Sequence, residues 1–191
     1  MARRKKKNRV GSVMRELLGW LFYILIIIGL TYLIITYVGQ RTRVSGSSME
    51  KTLSDGDNLI VDKLSYRFQE PKRFDIVVFP YKYEENTYYI KRIIGLPGDT
   101  VACKGSGEPI TVNGKPIDES AYLKSGVNPS DSPFSVTVTD GNVFVLGDNR
   151  SNSRDSRYHL DDGNNGLVPY DDIQGVALFR FWPFTRIGIL N

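Results

Sequence analysis

From Leu17 to Val38 the chain runs for 22 residues without a charged side chain. No other feature restricts its folding as much. At about 1.5 Å per residue, a helix of that length reaches roughly 33 Å, enough to cross the hydrocarbon core of a bilayer. A helix that is apolar on every face has no polar side to turn toward water, as a surface helix of a soluble core requires. The run therefore reads as a membrane span.

Seven basic residues precede it: Arg3, Arg4, Lys5, Lys6, Lys7, Arg9 and Arg15. With Glu16 they give this segment +6, and the whole chain carries +4, so everything after Glu16 carries −2. The basic balance belongs to the amino-terminal segment and is no sign of nucleic-acid binding by the rest. RRKKKNR alone also fits a nuclear-targeting or nucleic-acid patch, but a span directly behind it makes membrane topology the better account. By the positive-inside rule, residues 1–16 form a cytoplasmic tail, 17–38 a transmembrane signal anchor, and 39–191 an extracytoplasmic domain. A cleavable secretory signal has only about 7–15 apolar residues, then small ones at the cut. Here the run is longer and Gly39-Gln40-Arg41-Thr42-Arg43 follows it, so the anchor is expected to stay. Cys103 is the single cysteine. It excludes an internal disulfide and reads as a small packed hydrophobe.

Beyond Arg41 the pattern is of short β-rich segments broken by turns. DNLIVDKL, FDIVVFPY, TYYIKRIIGL, GNVFVLGD and IQGVALFRFW read as strands. Leu96-Pro97-Gly98-Asp99 fits a type II turn, and Asn113-Gly114 a tight hairpin. The expected domain is mostly β, an antiparallel sheet or barrel-like fold behind one transmembrane helix. Residues 104–141, rich in Gly, Pro and Ser, read as a small inserted lobe.

Ser48 lies ten residues past the span, at most roughly 36 Å from its end at about 3.3–3.6 Å per extended residue. A serine hydroxyl needs a neighbouring base to become a nucleophile. His159 is the only histidine, with Asp161 or Asp162 available as a third member, but RYHLDDGNNG reads as a solvated polar loop. Lys51 completes an S-x-x-K spacing with Ser48, yet the partner motifs S-D-N and K-T-G are absent. Lys91 is the other candidate. Strand alternation puts it on one face with Tyr89 and Ile93 and sends Arg92 to the other. Apolar neighbours of that kind favour burial, which lowers a lysine's pKa toward neutrality. On pattern alone an exposed lysine on a sheet face stays open.

At these residues the chain resembles the type I signal peptidases, membrane-anchored serine/lysine proteases that remove signal peptides from exported proteins. SGSSMEKTL matches the family's serine segment, RFDIVVF its next strand, YIKRIIGLPGD its lysine strand, and Gly147 to Arg157 its G-D-N-R…S-x-D-S-R segment. The resemblance implies Ser48 as nucleophile and Lys91 as general base. It implies Ser153, Asp155 and Arg157 as supporting residues, with Ser153 bonded to the lysine amine. The single anchor is similar to compact Gram-positive forms. The chain departs from the family at Lys51, commonly proline, and at Gly46, a hydroxyl residue in some members that helps bind the oxyanion. Implied partners are signal peptides of preproteins and the lipid bilayer, with the export translocon close by. No cofactor, metal or nucleic acid is implied. A self-cleaving repressor shares the Ser/Lys logic but has a soluble DNA-binding half where this chain has a span. A catalytically impaired, membrane-anchored β-domain that binds exported segments is the alternative function.

Overall fold

The computed structural model describes residues 3–37, 39–124 and 126–190. The chain divides into two compact units, one ending at Gly39 and one running from Gln40. The first is a single helix, α1 (Arg3–Tyr37), 35 residues long, which begins inside the stretch expected as a tail. Its segment Gly11–Leu33 has a mean hydropathy of 2.0, and none of that segment is buried against protein. Met1, Ala2 and Val38, the ends of the expected tail and span, lie outside the described residues.

Among the described residues from Gly39 onward there are twelve strands: β1 (Gly39–Arg43), β2 (Asn58–Asp62), β3 (Ile76–Pro80), β4 (Tyr88–Gly95), β5 (Thr100–Cys103), β6 (Thr111–Val112), β7 (Lys115–Pro116), β8 (Phe134–Thr137), β9 (Asn142–Leu146), β10 (Val168–Pro169), β11 (Gly175–Trp182) and β12 (Gly188–Ile189). The larger sheet follows the order β1-β2-β11-β3-β4-β9-β10, with β12 added to β11. The smaller sheet is β7-β6-β5-β8. Each segment expected as a strand contains one, and the neighbours of β4 run antiparallel to it. The two turn signatures also hold. Asp99 N–H donates to the Leu96 carbonyl across Gly98 at φ +82°, and Asn113 and Gly114, both at positive φ, close the β6–β7 hairpin.

β4 positions the site because it is hydrophobic on both faces and central in its sheet. Ile93 packs with Val77, Val143 and Val145 on one side, while Ile94 joins Val101, Val136, Phe144 and Leu146 on the other. Where β4 ends, a Cβ on Gly95 would sit 2.5 Å from Val101 Cγ2, so only glycine lets the strand cross the smaller sheet this closely.

Arg92 lies against the second of these cores. Its guanidinium donates to both oxygens of Asp148 at 2.9 and 2.8 Å and to the Phe74 carbonyl at 2.9 Å. It also lies 4.2 Å from the Tyr122 ring centroid. Both members of the pair are only 1% exposed, and Thr52 Oγ1 donates to the same carboxylate. Removing one partner from such a pair strands a charge in low dielectric. Asp148→Ala is expected to lower the unfolding free energy by about 3–5 kcal/mol, read as a shift in the urea midpoint followed by circular dichroism.

Candidate active site

Ser48 sits on a tight turn between β1 and β2. Met49 and Leu53, 1% and 0% exposed, anchor that turn in a core cluster with Leu59, Ile76 and Ala177. Leu53 N–H closes it on the Met49 carbonyl at 2.8 Å. Gly46 enters it at φ +93°, with its N–H held by Asp55 Oδ1. Burying the residue after the serine and leaving polar residues before it turns the hydroxyl toward the cleft. That cleft is bordered by Ser45, Ser47, Tyr89, Ile90, Asn152 and Arg154.

Strand β4 delivers Lys91 to the same point. Its Nζ lies 2.8 Å from Ser48 Oγ, donates to the Ile90 carbonyl at 3.1 Å, and sits 4.6 Å from the Tyr89 ring centroid. Lys91 is 2% exposed, so the exposed-lysine reading is excluded. Burial pushes its amine down to about 8, partly opposed by the negative charges of Asp155 and Asp148. A substantial neutral fraction is therefore present near physiological pH, and the neutral amine can accept the serine proton.

The third component is the segment from Gly147 to Arg157. Asn149 N–H donates to the Ser48 carbonyl at 3.0 Å, and its side-chain amide donates to the Ser47 carbonyl. A Cβ on Gly147 would lie 2.2 Å from Ser153 Oγ and 2.5 Å from the Ser48 carbonyl. The bare backbone of Gly147 is what lets the two segments touch. Arg157 grips Asp155 with two bonds of 2.9 and 2.8 Å. It also reaches the Pro129 and Arg150 carbonyls. Burial alone would raise the Asp155 carboxyl. The Arg157 guanidinium, the Gly147 N–H and the nearby Ser153 hydroxyl outweigh it and hold the group below the usual carboxylate range.

Ser153 departs from expectation. Its hydroxyl is buried without a well-aligned hydrogen bond, and Lys91 bonds to Ser48 and Ile90 instead. The hydroxyl lies close enough to Asp155 to favour the ionised carboxylate, so Ser153 meets the site through Asp155 and Gly147. The alternative bases lie elsewhere. Lys51 Nζ reaches the carbonyls of Ala121 and Leu123. His159 is packed among Tyr81, Tyr83 and Tyr158 rather than solvated in an open loop. Cys103 is buried in the core. Among the described residues, no cluster of His, Cys, Asp or Glu is suited to a metal ion.

Sequence reasoning assigned no role to Gly147, Asp148, Asn149 or Arg150. Arg150 is buried against Glu119, between β7 and β8, and donates to the Gly147 carbonyl. The run Gly-Asp-Asn-Arg directly after the hydrophobic strand β9 was the available signal for all four.

The chain is also similar to known proteins along most of its length. The family model described as signal peptidase, peptidase S26, matches residues 17–182. A probable signal peptidase I-2 from Synechocystis sp. is 42% identical over 161 residues, covering 82% of this chain and 69% of its own length. Signal peptidase I from Bacillus licheniformis is 37% identical over 195 residues and 98% of both chains. The crystal structure of a signal peptidase I from Enterococcus faecalis V583 aligns with 56% of this chain and 97% of its own, at 32% identity and a TM-score of 0.44.

The depressed Lys91 pKa has a stability consequence. Between about 8 and the ordinary 10.5, the unfolded chain binds more protons than the folded one at this group, so stability rises with pH in that window. Below it, the full cost of the buried amine is present. Lys91→Met is expected to raise the unfolding free energy at pH 7 by about 1–3 kcal/mol. The gain should vanish above pH ~10.5, as measured by denaturant titration at a series of pH values.

Proposed function

We propose that this chain, which belongs to the signal peptidase family, peptidase S26, removes amino-terminal signal peptides from exported preproteins by serine/lysine chemistry. One observation carries the reading: a buried lysine amine with its pKa lowered to about 8 lies 2.8 Å from the hydroxyl of a serine on a tight turn.

In the reactive form, neutral Lys91 accepts the Ser48 proton while the oxygen attacks the carbonyl before the cut. The ammonium that forms is stabilised by the charges of Asp155 and Asp148, and it returns a proton to the leaving amine. Lys91 then activates the water that releases the acyl group from Ser48. The Ser48 N–H donates to no group among the described residues, which leaves it available to the developing oxyanion. One such donor is worth about 2.7–4 kcal/mol in a comparable protease. Asp155 and Arg157 hold the supporting segment in place, and Ser153 fills the space between Gly147 and Asp155.

The assignment extends to topology. Residues 1–16 lie in the cytoplasm, the anchor crosses the membrane, and the domain from residue 39 works on the outer face, near the site of export. Trp182, Phe184, Ile187 and Ile189 are exposed on that domain and suit a lipid interface, where aromatic rings partition. The binder without activity has no support, because the Ser48–Lys91 contact is intact and the relatives carry peptidase names.

Preprotein processing by purified protein tests the assignment. Ser48→Ala and Lys91→Ala are each expected to lower kcat/KM by about 10³-fold or more, whereas Lys51→Ala should stay within about threefold of wild type. Full activity in either dyad variant sinks the reading. In wild type, kcat/KM should climb with pH until it levels off above about 8, because only the neutral amine is a base.

A further inference from the structure

Beside the reaction cleft lies a second pocket that the chemistry above does not use. Its floor is apolar, formed by Val145, Leu167 and Val168, and its wall is made of rings. Tyr89 stacks on Tyr81 at 4.1 Å and 14°, Tyr81 meets Tyr83 at 5.3 Å, and Tyr83 stacks on His159 at 4.4 Å and 20°. Tyr89 and Arg154 border both this pocket and the reaction cleft. The two therefore share a border.

The direction of the substrate follows from proton transfer. Lys91 must reach the leaving nitrogen, and its amine rests over the Tyr89 ring. The segment released by the cut therefore departs across Tyr89, toward Tyr81 and the pocket. Tyr89 precedes Lys91 by two residues on β4, about 6–7 Å along an extended strand, and Tyr81 stacks on it. The pocket thus meets the second or third residue after the cut.

Its chemistry favours one kind of side chain. The rim charges Lys82 and Asp162 are paired with each other, and Tyr83 Oη donates to Asp162 at 2.7 Å. The rest of the lining is ring surface, the exposed guanidinium of Arg154, the exposed carboxylate of Asp172, and Asp155, which Arg157 holds. An apolar floor with rings and a cation around it suits an aromatic occupant. Burial holds the His159 ring below its ordinary pKa, so the wall is neutral at that point.

Resting on the signal-peptidase reading, we propose that the pocket walled by Tyr81, Tyr83 and His159 binds an aromatic side chain at the second or third position after the cut, favouring preproteins that carry one.

The test uses the full chain in detergent and preproteins identical through the cut, with Ala, Phe or Glu at the second and third positions beyond it. Competition experiments give the ratios of kcat/KM. The Phe substrate is expected to be preferred over Ala by about fivefold, with no advantage for Glu. In Tyr83→Ala and His159→Ala, both checked for folding by circular dichroism, the Phe:Ala ratio should fall toward one, and His159→Phe should retain it. Equal use of Phe and Ala by wild type overturns the subsite alone, as does a preference for Glu or a ratio unchanged in both alanine variants. A wild-type chain that cuts neither the Phe nor the Ala substrate overturns the peptidase reading itself, and this proposal with it.

Discussion

Everything at the candidate site is referenced to the buried pair between Arg92 and Asp148. Arg92 follows Lys91 directly on β4, and Asp148 follows Gly147 directly after β9. Thr52, four residues past Ser48, donates to the same carboxylate. A single ion pair thereby joins the three segments that carry Ser48, Lys91 and the stretch from Gly147 to Arg157. Its bonds are directional and shielded from water, so a slip of β4 by one residue would exchange the faces of Lys91 and Arg92 and break both sites together. Such a pair adds little net stability over a packed apolar substitute. Its use here is to specify register.

The same low-dielectric setting explains how one strand carries two adjacent cations with opposite fates. Arg92 has a carboxylate held by two bonds and stays charged. Lys91 has a hydroxyl, a carbonyl and a ring face as its immediate neighbours, with carboxylates acting only from farther off. Those neighbours compensate a positive charge poorly, so the amine gives up its proton easily. The chemistry depends on this difference in partners between residues 91 and 92.

The fold was legible to the extent that local pattern decides it. Short β-rich runs between turn signals located the five main strands, and Pro-Gly and Asn-Gly located two turns. Alternation also pointed Lys91 toward Tyr89 and Ile93, with the family resemblance deciding between it and its rivals. What remained hidden was set by partners distant in sequence. Arg92 and Asp148 are 56 residues apart, and Arg150 and Glu119 are 31 apart. No local pattern states that a charged residue on a strand will find its counterion inside the protein. Ser153 shows the converse limit: it lies beside Gly147 and Asp155, and a motif does not specify which neighbour a hydroxyl turns toward.

The Arg150–Glu119 contact gives the segment between β7 and β8 a different standing from that of an appendage. Arg150 is fully buried, and its counterion comes from that segment, while Arg157 donates a further bond to the Pro129 carbonyl of the same segment. The segment thus supplies the electrical neutrality and part of the scaffolding of the stretch that clamps the serine turn. A minimal version trimmed to the larger sheet would leave a guanidinium in the interior with nothing to balance it. The segment is therefore not modular: it cannot be shortened or exchanged like a surface loop without redesigning the candidate site beneath it.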